Sequence, residues 1–174
     1  MSFILNSVGD GIVIVSNDNT IINNIITEPE NNGVLVFLKD RNIIKGNTIV
    51  NSRFAGIALL EDCFETCRLS NDNQVLDNTI ISSGLAGINL DGKHNVIQGN
   101  TINQSGENGI DVGTFSEGLI IKDNSITNSE YGIAINSASL NTVVIGNTLA
   151  GNTFGPIDTE RTDIVFAGNV PNLM

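Results

Sequence analysis

The chain has 174 residues, enough for one domain with a continuous core, and holds 26 Asn, 25 Ile and 18 Gly but one Tyr and no Trp. A net charge of -11, with the eight Lys and Arg scattered singly, excludes a nucleic-acid partner, which needs clustered cations, and disfavours anionic membrane surfaces. The longest apolar run, residues 34–38, is far too short to cross a bilayer. Ile and Asn without Leu, Lys or Glu runs are poor material for amphipathic helices, so strands and tight turns are expected. The N-terminal MSFILNSVGDG has no basic n-region and no cleavage-like site, so no signal peptide is expected in this chain. That leaves two expectations: a cytoplasmic protein, or a fragment without its leader and first coils.

In chain order, a Gly followed by alternating apolar residues recurs at Gly11, Gly33, Gly56, Gly87, Gly109 and Gly132, with a degenerate copy at Gly155. Successive spacings are 22, 23, 31, 22, 23 and 23 residues. An Asn keeps the same phase at Asn24, Asn47, Asn78, Asn100, Asn124, Asn147 and Asn169. Strand alternation puts three apolar columns inward. The first follows the glycines (Ile12, Val34, Ile57, Ile88, Ile110, Ile133). The second precedes the Asn by three (Ile21, Ile44, Val75, Ile97, Ile121, Val144, Phe166). The third follows it by two (Ile26, Ile49, Ile80, Ile102, Ile126, Leu149). Three short strands close a coil, and one coil alone cannot bury its apolar side. The expected fold is therefore all-β: a single-stranded right-handed parallel β-helix of six to seven coils of about 22–23 residues, stacked about 4.8 Å apart. It is expected to be one domain over 1–174.

The Asn column has a structural explanation: Asn tolerates the left-handed turn conformation, and stacked amides bond from coil to coil. Thr48, Thr79, Thr101, Ser125 and Thr148 form an outward column. An ice-binding array usually has two aligned Thr columns, but the next one (Val50, Ile81, Asn103, Thr127, Ala150) is mixed, so cross-strand hydroxyl pairing explains the Thr residues.

Candidate functional positions come in chain order on the outward face of the strands after each Gly. In the first three coils this face is apolar, with Val13, Val15, Leu35, Phe37, Ala58 and Leu60. A contiguous apolar patch of that size is expected to be covered, by a chain segment or by a second subunit, with Phe37 near its centre. The third coil is 31 residues long, so a loop is inserted at about 61–72, carrying Cys63 and Cys67. C-x₃-C spacing allows a disulfide that pins the loop, two free thiols, or half of a metal site. In the next coils the face turns polar, with Asn89, Asp91, Asp111 and Asn136. Asp91 and Asp111 on adjacent coils can act as general acid and base, since mutual repulsion raises one pKa, or can hold Ca²⁺ weakly; as plain surface acids they would be solvated. His94, the only histidine, sits in a polar turn near Asp91 and is a candidate base or binding residue, or an idle exposed one.

The repeat GINLDGKHNVIQGNTINQSGENGI resembles the parallel β-helix repeat of the pectin-lyase-like superfamily, which includes carbohydrate-binding and sugar-hydrolase-type β-helices and NosD-like periplasmic proteins. The resemblance covers residues 11–169. It implies polysaccharide binding on the strand face after each Gly and an extracellular or cell-surface location. Asn89-Leu90-Asp91 with Asp111 is similar to the aspartate arrangement of polygalacturonases. The Gly-His-Gly and Arg-x-Lys signatures of that group, the basic residue of pectate lyases and the Asp-Pro-His of alginate epimerases are all missing. Two functions follow: a non-catalytic module for glycan binding or a structural surface role, or a polysaccharide-active enzyme using Asp91 and Asp111, with no cofactor beyond the Ca²⁺ option.

Overall fold

The computed structural model describes residues 1–62 and 67–171. Among these residues, twenty-one strands of three to five residues wind into a right-handed parallel β-helix of about seven turns. Every third strand pairs, giving three parallel seven-stranded sheets. The glycine sheet contains Ile12–Ile14, Val34–Phe37, Ile57–Leu60, Ile88–Leu90, Ile110–Val112, Tyr131–Ile135 and Gly155–Asp158. The middle sheet runs from Thr20–Ile22 to Val165–Ala167, and the threonine sheet from Phe3–Leu5 to Thr148–Ala150. No described helix is long and apolar enough to cross a membrane.

The three expected inward columns form one core. Val34, Ile57, Ile88, Ile110 and Ile133 are fully excluded from water, as are Ile44, Ile97 and Ile121, and Ile26, Ile49, Ile102 and Ile126. Ile12, Ile21 and Phe166 are only partly buried, because each belongs to an end coil with a neighbour on one side alone. The glycine column exists for close approach. A β-carbon at Gly87 would collide with Ile102 and lie 2.7 Å from the Gly109 carbonyl oxygen and 3.0 Å from the Ser105 hydroxyl.

The Asn ladder is continuous and directional. The backbone N–H and the side-chain amide of Asn47 both donate to Oδ1 of Asn78 (2.9 and 3.0 Å), and the Asn78 amide donates to the Ile44 carbonyl at 2.9 Å. The pattern repeats through Asn100, Asn124, Asn147 and Asn169. The left-handed conformation falls one residue earlier than expected, on Asn23, Gly46, Asp77, Gly99, Asp123, Gly146 and Gly168. The ladder Asn thus turns its carboxamide inward, and its predecessor makes the turn. A second ladder, Asn19, Asn42, Asn73 and Asn95, stacks at the preceding corner.

Candidate glycan-binding groove

The outward side of the glycine sheet is built by register. Ala58 pairs with Asn89, Asn89 with Asp111, and Asp111 with Ala134, so these side chains stack one coil apart. One wall comes from the turns before the strands. Backbone bonds chain Asn31, Phe54, Leu85, Glu107, Glu130 and Phe154 into a row alongside the sheet. Between wall and sheet lies an open depression of about 240 Å³, lined by Asn32, Phe54, Leu60, Leu85, Asn89, Glu107 and Asp111, with the Ala58 methyl at its floor. Phe54 and Leu85 present apolar surface beside amides and carboxylates, the usual mixture of a small-molecule site.

Asp91 flanks the depression one strand position further on, over the next coil. A β-carbon at Gly113 would fall on its carboxylate, so the side chain folds down over that glycine. One carboxylate oxygen, Oδ1, is buried with no hydrogen-bond partner. Burial first, then the negative charges of Glu61 and Asp111, push its pKa up to about 6. Burial also raises Asp111, and a hydrogen bond from the Asn108 side chain partly counters it. Both acids face outward and are half-buried rather than freely solvated.

The other candidates separate. His94 is exposed in a left-handed turn, with Nδ1 3.6 Å from Asp72 and its ring over Gly118, and its contacts include neither Asp91 nor Asp111. Asn136 is exposed and accepts a bond from the Ala138 N–H at 3.0 Å; it does not line the depression. Within the apolar patch Val13, Val15 and Phe37 are exposed, whereas Leu35 and Leu60 are half-buried and Ala58 is covered. The exposed patch is therefore smaller than alternation alone implies. Cys67 is disulfide-bonded, while Cys63 lies outside the described residues; Asp62 and Arg68 pair antiparallel on either side. Beyond this excursion a second cavity of about 450 Å³ lies against Leu69, Phe115 and Leu140 and contains the Lys93–Glu117 ion pair at 2.7 Å.

Strand alternation missed the wall residues Phe54, Leu85 and Glu107. The available signal was the position two before each Gly, which belongs to a turn and has no period-2 pattern.

This architecture defines a parallel β-helix with an outward groove on one sheet. The chain belongs to the family described as periplasmic copper-binding protein (NosD), whose profile it matches over residues 65–170. No curated protein sequence matches it. Its fold is similar to the periplasmic alginate epimerase AlgG, with a TM-score of 0.79 and 18% identity over 95% of this chain and 43% of that one. It is also similar to the A-module of the Azotobacter vinelandii mannuronan C-5 epimerase AlgE4 (0.71, 18%, 96% and 54%). Tailspike protein 2 of Escherichia coli O157:H7 bacteriophage CAB120 shares the fold as well (0.65, 13%, 91% and 23%). The chain thus spans about half the length of these structures or less.

The described residues do not fit a copper centre of the kind the family description implies. Copper favours clustered His, Cys or Met. Here the single His pairs with an Asp, Cys67 is disulfide-bonded, and no group of three or more His, Cys, Asp or Glu side chains suited to a metal occurs among the described residues.

Proposed function

We propose that this chain is a glycan-binding β-helix module whose site is the groove over Asn89 and Asp111. The observation that carries the reading is the depression itself: exposed Phe54 and Leu85 offer apolar surface for sugar rings, and Asn89 and Asp111 offer acceptors and donors for hydroxyls. The fold similarity to an alginate epimerase and a mannuronan C-5 epimerase module supports a carbohydrate ligand. A disulfide at Cys67 and the NosD family together support a periplasmic or cell-surface location. A broad glycan array with wild type and Phe54→Ala/Asn89→Ala tests the reading. Binding by wild type, lost at least tenfold in the double variant, is expected; an array without any binding by wild type overturns it.

One observation favours a second reading, catalysis. Burial keeps Asp91 near pKa 6 beside Asp111, so Asp91 carries a proton in mildly acidic solution and can donate it as a general acid. An enzyme of this kind works best below neutral pH and loses turnover, with binding retained, in Asp91→Asn. Release of reducing ends or unsaturated sugars from an array-positive polysaccharide distinguishes it from pure binding.

A further inference from the structure

We propose that the groove selects amino-sugar chains, which carry ammonium groups, over the uronate chains that its fold relatives act on by name. This rests on the glycan-binding reading and deepens it. The depression is lined by two carboxylates, Glu107 and Asp111, and by no Lys, Arg or His. Acid continues lengthwise from both: Glu130 follows Glu107 along the wall row, and Asp158 follows Asp111 and Ala134 along the strand face. Asp91, with Glu61 close enough to perturb it, borders the opposite side.

Two cations lie nearby: Lys93 is held by Glu117 at 2.7 Å in the other cavity, and the Arg53 guanidinium, which keeps its charge, lies over the Phe54 ring 5.9 Å from its centroid, one positive charge against Glu107, Glu130, Asp111 and Asp158. A sugar polymer lying along the coils meets Glu107 and Glu130 on the wall and Asp111 and Asp158 on the strand face, with Asp91 at one point of the far border. A carboxylate on every residue of that polymer is repelled at each step, and an amine is attracted, more strongly where the groove excludes water. The chain's net charge of -11 adds long-range repulsion of polyanions.

The test is affinity for hexasaccharides of glucosamine, N-acetylglucosamine and mannuronate at pH 6, where the glucosamine amines are protonated, and low salt, beside the broad array. Glucosamine hexamer is expected to bind at least tenfold tighter than either other hexamer, with affinity falling as salt rises. Glu107→Gln/Asp111→Asn, checked for an unchanged far-UV spectrum, is expected to reduce the preference below threefold. Equal or tighter binding of mannuronate or of N-acetylglucosamine overturns the proposal and leaves the glycan reading standing. So does a positive array on which none of the three hexamers binds. A blank array removes both.

Discussion

Asp91 owes its environment to a neighbour with no side chain. Gly113 supplies the space into which the carboxylate folds, and that space strips water from Oδ1. An acid with a raised folded pKa binds protons more tightly folded than unfolded. The stability linked to it is therefore present below its ordinary pKa of 3.8 and is lost as pH rises to about 6 and beyond. Asp91→Asn should leave thermal stability near pH 4 almost unchanged and raise it at pH 7.5. With residual solvent screening the gain is about 1–2 kcal/mol. A melting difference that does not widen between those two pH values would contradict the burial described. Gly113→Ala, which evicts the carboxylate, should bring its pKa back towards the ordinary value in an NMR titration. A second residue-scale expectation concerns sulfur. Thiol counting on unfolded, unreduced protein should find none, and two after reduction, if Cys67 pairs with Cys63 as we propose.

A coil is stable only between its neighbours. Ile110 is fully buried between Ile88 and Ile133, and Ile110→Ala should cost about 2–5 kcal/mol, measured by denaturant unfolding. Melting within a degree of wild type would refute the assigned register. At this scale the sequence was most legible, because β-strand alternation and a repeated spacing are local patterns that recur in every coil. The inward columns and the Asn24-to-Asn169 ladder could be read residue by residue. Hydrogen-bond direction and the shift of the left-handed turn to Gly99 or Asp123 could not, since both depend on which backbone group the next coil presents. The site was half legible. Asn89 and Asp111 lie on a strand and follow the alternation; Phe54 and Glu107 lie in turns, where side-chain direction is set by three-dimensional stacking. His94 is near Asp91 in sequence, yet the turn directs it towards Asp72 instead.

For the whole molecule, the apolar end of the glycine sheet matters most. Val13, Val15 and Phe37 are 49%, 66% and 41% exposed, and they adjoin the strand edges of the first coil. Adjoining exposed apolar side chains favour association. We expect light scattering of this chain to show a concentration-dependent mass increase that Phe37→Glu suppresses. A wild type that stays monomeric at high concentration would mean that an internal segment protects this end.

The bond from Asn47 to Asn78 spans 31 residues and its neighbours in the ladder span 22 or 23, yet all measure 2.9–3.1 Å. The interior is thus blind to how much chain is spent on the outside of a turn. Sequence change at the residue two before each Gly can alter the outer surface without being transmitted to the stack beneath. Such a rod separates the residues that keep it folded from the residues that choose a ligand, and a lineage can exchange the second set while holding the first constant.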